Sequence, residues 1–470
     1  MKHNNLLTAV GSAALLLPQT APSRPATQTA AQSAIWPAAQ PSARPNIIFI
    51  LTDQQTSRAM GCAGNRHVET PAMDALAADG VRFTRGYCPF PLSGPCRTSL
   101  MTGRTAWQAG VTDNEQPPSP EAMAASIGLK MQAAGYEPLY AGKWHIPQIE
   151  VPDGMGFTKI CGMDDRTLVD NCAPYLSRKY DKPLLLVASF LDPHEICEYA
   201  RCETLPYGPL EDYRTEECPN LPSNFMPSTY EAEALRLHHA MTPRIHDTYA
   251  YTQDDWRRYL YAYYRLVERV DLQVGRLVDL LKKSGLYDNS LIIFASDHGD
   301  GVAAHQWNQK WALFEEVVNV PLIVKAPKGG LRGAVNDTAL SNIGLDIFAT
   351  ICDYAGVTQG EGYRGRSYRP IVEGGAKELH TEVFIETTLS GVDMRAWSIV
   401  EGRYKYVLYN YYRNREQLYD LQADSGEMVN LAVDRAYAPE LQRLRAKLLD
   451  WAQYTGEPRL LRNIRQYLTK

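Results

Sequence analysis

Ser93 lies in the run Pro91-Leu92-Ser93-Gly94-Pro95-Cys96-Arg97-Thr98-Ser99-Leu100-Met101-Thr102-Gly103-Arg104, which reads as a nucleophile at the start of a helix. The partial positive charge at a helix N-terminus favours an anionic ligand and a polarised hydroxyl. The competing role for a serine in that place is an N-cap. Three further polar groups, Asp53-Gln54, Asp192-Pro193-His194 and Asp297-His298, follow apolar runs of the length of buried strands. Carboxylate oxygens at strand ends suit calcium or magnesium, and an imidazole at His298 adds manganese or zinc. A histidine such as His194, whose ordinary pKa is near neutrality, is suited to giving a proton to a leaving oxygen. Gly142-Lys143-Trp144-His145 and Lys310 supply cations that an anion would need.

The core S-x-P-x-R arises by chance in about one chain in ten of this length. Adding Thr102-Gly103-Arg104 at its spacing lowers that to about one in a hundred thousand. Cys88 and Cys96 are both out of frame with this pattern. The combined motif resembles that of the formylglycine-dependent (type I) sulfatases, serine-type, of the alkaline phosphatase-like superfamily. The resemblance implies that a maturation enzyme oxidises Ser93 to formylglycine, whose hydrate attacks sulfur through one hydroxyl and expels sulfate through the other. Arg97 would hold the nucleophile loop. G-K-W-H resembles the second family signature, with Lys143 on the sulfate and His145 on the formylglycine hydroxyl. Lys310, ahead of Phe314-Glu315 and Val320-Pro321-Leu322, stands at the spacing of the second sulfate-binding lysine. Lys143, His194 and Lys310 would then bind substrate, with His194 as general acid. One divalent cation, most often Ca2+ with Mn2+ or Mg2+ as alternatives, would be held by Asp53, Gln54, Ser93, Asp297 and His298. Gln54 stands where a second aspartate is frequent, so the site has one negative charge fewer.

The elements that must position these residues are apolar runs at Asn46–Leu51, Leu184–Phe190, Leu291–Ala295 and Val320–Val324, read as buried strands. Between them a helical pattern over Asp254–Gly285 puts Leu260, Tyr264, Val267, Val270, Val274, Leu277 and Leu281 on one face. Alternation of strands and helices predicts an α/β fold, and the resemblance makes it a large mixed sheet sandwiched by helices. From Glu382 onward, alternating aromatic-rich runs and a helical segment at Pro439–Trp451 predict a smaller C-terminal antiparallel sheet with a covering helix. The stretch from Cys197 to Asp254 is irregular and long enough to be functional. His305 is close enough to Lys310 in sequence to line the same pocket.

The chain has 470 residues, of which 45% are hydrophobic, enough for one large core and a smaller appendage. A net charge of −5 gives no general pull on polyanions, so nucleic acid is not an expected partner. Residues 1–21 read as a signal peptide, too short to span a membrane, and 22–44 as a disordered leader. Residues 45–380 then form the catalytic domain and 381–470 a C-terminal subdomain, in a periplasmic or secreted protein. Among nine cysteines, Cys161 with Cys172, and Cys218 with Cys197 or Cys202, are the local candidates for pairing, while most read as scattered buried thiols. The expected function is hydrolysis of sulfate esters on carbohydrates of glycosaminoglycan or mucin type. Two rivals are a phosphate or phosphonate monoester hydrolase of the same fold and a catalytically decayed glycan-binding protein. The first lacks a convincing D-x-x-x-H ligand set, and Gln54 is the one departure pointing to the second.

Overall fold

The computed structural model of the chain describes residues 44–149, 152–211, 213–242, 247–248, 250–389 and 394–468. The expected signal peptide and nearly all of the leader lie outside the described residues. The strands, in chain order, begin with β1 (Asn46–Thr52), β2 (Val81–Phe83), β3 (Gly86–Tyr87), β4 (Glu137–Gly142) and β5 (Thr158–Cys161). They continue with β6 (Leu184–Ser189), β7 (Ser290–Ser296), β8 (Leu322–Lys325), β9 (Ala334–Asn336) and β10 (Ser341–Asn342). Last come β11 (Glu382–Leu389), β12 (Met394–Glu401), β13 (Tyr404–Tyr409) and β14 (Glu416–Asp420). The main sheet has eight strands in the order β5-β4-β6-β1-β7-β8-β2-β9. β5, β4, β6, β1 and β7 run parallel, whereas β8 is antiparallel to both β7 and β2.

Side-chain alternation along β1 explains why the sheet carries a core on each face. Ile47, Phe49 and Leu51 face one core together with helix Ser93–Thr102 and helix Ile343–Ala355. Ile48 and Ile50 face the other, which is built on the long helix Gln253–Lys283. Of the predicted helical face, Val267, Val270, Val274, Leu277 and Leu281 are buried there, and Tyr264 is only partly covered. Each such aliphatic side chain stabilises the fold by about 1.5–3 kcal/mol. Thr252 caps this helix by accepting from the Asp255 amide, and Asp255 accepts from the Thr252 amide in return.

β11 to β14 form a four-stranded antiparallel sheet. One face, with Trp397, Ile399, Tyr406 and Leu418, packs on helix Ala438–Thr455 through Leu441, Leu444, Leu448 and Trp451. The opposite face, with Ile385, Ala396 and Val407, joins the first core of the main sheet. The Cys197–Asp254 stretch holds helices Ile196–Ala200 and Glu233–Met241 among loops, and Glu233 and Asn414 tie it to the C-terminal sheet. All nine cysteines are free thiols, so the disulfide pairings expected from sequence do not form. No helix among the described residues is long and apolar enough to cross a membrane.

Candidate active site

Because β4, β6, β1 and β7 are parallel neighbours, their carboxyl ends lie along one edge of the sheet, where ligands of such sheets bind. Lys143 follows β4, Asp192 and His194 follow β6, Asp53 and Gln54 follow β1, and Asp297 and His298 follow β7. Gly142 sits in the left-handed region at φ 93°, and a Cβ there would stand 1.9 Å from the Ser189 carbonyl oxygen. Only glycine lets β4 approach β6 this closely where Lys143 leaves the strand.

Ser93 is the first residue of its helix; the N-cap is Leu92, with no side-chain cap. The hydroxyl is therefore not spent on capping. Its Oγ lies 3.1 Å from His298 Nε2 and 3.4 Å from Asp53 Oδ2. His298 Nδ1 lies 2.9 Å from the Gly299 carbonyl oxygen. That contact requires the proton on Nδ1 and leaves the Nε2 lone pair toward Ser93.

Arg97, one turn along, is the structural centre of the cluster. Its guanidinium donates to Asp53 Oδ2 and Asp297 Oδ2 at 2.8 Å each, to the Lys143 carbonyl at 2.8 Å and to Ser189 Oγ at 2.7 Å. Lys143 Nζ stands 2.6 Å from Asp53 Oδ2. Burial alone would raise the Asp53 carboxyl, but Lys143, with His194, Arg97 and His298, outweighs it and holds the group well below the usual range. Burial lowers Lys143 despite Asp53. His145, close by, is pushed down to about 3 by burial and by Lys143 and Arg97, so it is neutral near pH 7. Its Nδ1 makes no hydrogen bond.

Lys310 arrives on the loop after β7. Trp307 Nε1 donates to the Lys310 carbonyl, and the following Trp311 amide donates to the Pro91 carbonyl, which ties this loop to the nucleophile turn. Lys310 Nζ is 3.2 Å from both His194 Nε2 and Gln54 Oε1. Burial, Lys143 and Lys310 keep His194 neutral, with its pKa well below the ordinary value. The loop carrying His194 is fixed by Arg269 of the long helix, whose guanidinium reaches Asp192 and Glu195 at 2.6 and 2.5 Å.

Asp53, Asp297 and His298 bring their ligand atoms within 4.8 Å of one another, all buried. Asp53 Oδ1 has no hydrogen-bond partner, although the opposite oxygen is crowded by Ser93, Arg97 and Lys143. An unanswered buried carboxylate oxygen beside a bare imidazole nitrogen fits a divalent cation. Gln54, by contrast, turns its amide oxygen to Lys310 and the Cys197 thiol, and its Nε2 donates to Asp300 Oδ2 at 2.8 Å. Its side chain thus lies among the cations, outside the converging trio.

Sequence reasoning missed several members of this wall. Asp300 accepts from Gln54, from Tyr259 Oη and from the amides of Val302 and Gln309, and burial raises it to about 6. Its place in Gly299-Asp300-Gly301 looks like an ordinary turn. The Cys197 thiol donates to Gln309 Oε1 at 2.8 Å, and Asn114 Oδ1 accepts from the Gly94 amide. No local pattern marks either residue. Arg104 lies outside the cluster, over the Tyr363 ring at 5.3 Å. His305 does not line the pocket as expected; its ring stacks on Phe314 at 4.0 Å and faces away to Glu316 and Glu427. Next to Asn114, a cavity of about 420 Å³ is lined by Trp107, Thr112, Asp113, Gln116, Thr388, Arg395 and Arg459.

Ser93, the three buried cations and the carboxylate–imidazole trio all lie within residues 45–357, the range matched by the sulfatase family model. The chain belongs to the sulfatase family. Residues 303–454 match a second model, N-sulphoglucosamine sulphohydrolase, C-terminal. A delta 4,5-hexuronate-2-O-sulfatase of Bacteroides thetaiotaomicron is 29% identical over 445 residues, covering 87% of this chain and 89% of its own. The solved structure of a 2-O GAG sulfatase superposes with a TM-score of 0.79 at 26% identity, over 88% of this chain and 93% of that one. A phosphonate monoester hydrolase of Agrobacterium radiobacter has a TM-score of 0.74 at 24% identity, over 87% and 96% of the two chains, which establishes the shared fold alone. This sulfatase is thus a sulfuric ester hydrolase built on a large mixed sheet with a small antiparallel one.

Proposed function

We propose that this sulfatase removes sulfate from acidic sugars of glycosaminoglycan type, using a formylglycine made from Ser93. The reading rests on Ser93 Oγ at 3.1 Å from the bare Nε2 of His298, with Lys143 and Lys310 nearby to receive a sulfate group. Formylglycine would supply, as its hydrate, one hydroxyl as nucleophile and a second to expel sulfate as the aldehyde re-forms, and a divalent cation held by Asp53, Asp297 and His298 would supply charge stabilisation. Lys143 and Lys310 bind the sulfuryl oxygens and neutralise the charge that grows on them. Lys310 Nζ and His194 Nε2 lie 3.2 Å apart, so the pair would supply a proton to the departing sugar oxygen. His145, neutral and with a free ring nitrogen, orients a hydroxyl at position 93. Burial of Ser93, Asp53, Lys143, Asp297, His298 and Lys310 keeps competing water out.

The acidic-sugar part is supported by Arg395 at the cavity beside Asn114. Its Nε and one terminal nitrogen make no hydrogen bond although Glu457 holds the other, and it lies over Trp107 at 5.2 Å. A guanidinium presented this way suits a carboxylate. The similar hexuronate-2-O-sulfatase acts on such a sugar by its name. The apolar Leu6–Leu17 run supports export to the periplasm or beyond.

Sulfate release from 2-O-, 6-O- and N-sulfated disaccharides is the test, alongside an aryl sulfate and an aryl phosphate. Preference for a sulfated uronate, lost in Arg395→Gln with aryl sulfate turnover retained, is the expected result. Equal turnover of all sugars would remove the uronate reading, and faster phosphate turnover would move the chemistry to phosphate esters. The Ser93 peptide should weigh two hydrogens less than encoded.

A further inference from the structure

A second buried polar cluster lies outside the catalytic wall. His305 stands on the loop that also carries Lys310, Glu316 in helix Glu315–Val318, and Glu427 in the turn after β14. One ligand atom from each lies within 4.8 Å of the others. His305 is 3% exposed, and neither ring nitrogen makes a well-formed hydrogen bond; Asp424 and the Gly426 backbone favour its protonated form, but burial and Lys405 outweigh them. Glu316 Oε2 is likewise buried without a partner.

The charges here do not close. Lys405, fully buried, lies 3.1 Å from Glu315 and 2.9 Å from Glu427. It answers one carboxylate. Arg58, 60% exposed and 4.0 Å from Glu316, is largely screened by water. Glu316 and Glu427 are answered only in part, and burial raises both carboxyls, Glu427 to about 7, beside a histidine that burial and Lys405 keep neutral. Isolated buried charges of this kind are costly, by several kcal/mol each.

We propose that His305, Glu316 and Glu427 form a second divalent-cation site, distinct from Asp53–Asp297–His298. A dication would hold both carboxyls in their ionised form, and the imidazole nitrogen beside carboxylate oxygens selects zinc or manganese over calcium. The site bolts the Lys310 loop to the C-terminal sheet, because its ligands come from both. Several non-glycine residues of that loop, including Val302, Ala303, His305, Gln309 and Trp311, have positive φ. A backbone of that kind persists only when its surroundings hold it, and a metal bridge does so.

The experiment is zinc stoichiometry on the purified full chain, by elemental mass spectrometry after dialysis against Zn2+, for wild type, His305→Ala and the near-isosteric Glu316→Gln. Because the catalytic-wall site is common to all three, it subtracts out. Wild type is expected to hold one more zinc ion per chain than either variant, and Zn2+ is expected to raise its melting temperature more than theirs. Equal stoichiometry in folded wild type and variants would overturn the site. If neither variant folds, anomalous scattering at the zinc edge from wild-type crystals decides: a peak among the three side chains supports the site, and none overturns it.

Discussion

Two of the buried polar clusters of this chain hang from the same stretch, residues 297–316, yet they have opposite characters. Around Ser93, the carboxylates of Asp53 and Asp297 are outnumbered by Arg97, Lys143 and Lys310, and Arg97 contacts both carboxylates at once. Around Glu427, three carboxylates face the single buried lysine Lys405. Burying ions is expensive on either side, and a protein keeps such groups only where partners or ligands compensate. One cluster is thus prepared for an anion that comes and goes, and the other for a cation that stays. The comparison teaches that excess charge, rather than residue type, separates a reaction site from a structural one, since both contain histidine and carboxylate.

The largest break in this picture should come from Ser93→Ala, which removes the hydroxyl that contacts both His298 and Asp53. Sulfate ester turnover should fall by about 10⁴-fold or more in a chain that still melts cooperatively. Lys310→Ala should follow with a loss of about 10²–10³-fold in kcat, since it removes a cation aimed at developing charge and the proton partner of His194. Arg97→Met should act on stability: two buried carboxylates lose their common partner, at a cost of about 3–5 kcal/mol in urea unfolding. Lys405→Met in the other cluster should cost a comparable amount, but with a difference that sharpens the comparison. There Zn2+ should restore part of the loss, whereas it should not restore Arg97→Met. The smallest effect concerns acid. His145 is held neutral in the fold at a pKa of about 3, while its unfolded value is about 6.5. The unfolded chain therefore binds a proton first, and the stability His145 retains above pH 6.5 is lost progressively as pH falls toward 3. His145→Gln should flatten that part of the melting-temperature profile by a few degrees.

Much of the architecture was legible because hydrophobic runs mark strands buried on both faces. Asn46–Leu51, Leu184–Phe190 and Leu291–Ala295 differ from β1, β6 and β7 only at their ends. β2, β3, β9 and β10 were not legible, because two or three residues carry no measurable periodicity. The same logic governs the site. Asp53, His194, Asp297 and His298 were readable because a polar group directly after a buried strand stands out. Asp300, Cys197 and Ser189 were not, since their roles arise from which strands become neighbours, and one chain read linearly does not reveal that order. Gln54 was misleading at the level of residue type. Read as a substitute ligand, it instead donates to Asp300 and accepts from Lys310, so a carboxylate there would meet Asp300 head-on.

The helix that begins at Ser93 is buried along its whole length, from Ser93 to Thr102. An enzyme that oxidises a side chain must enclose several residues around it, and no such grip is available once this helix is seated. The proposed oxidation of Ser93 therefore belongs to the interval between synthesis and folding. Under the proposed export, that makes the order of events a race: a chain that folds first is locked as serine for the rest of its life.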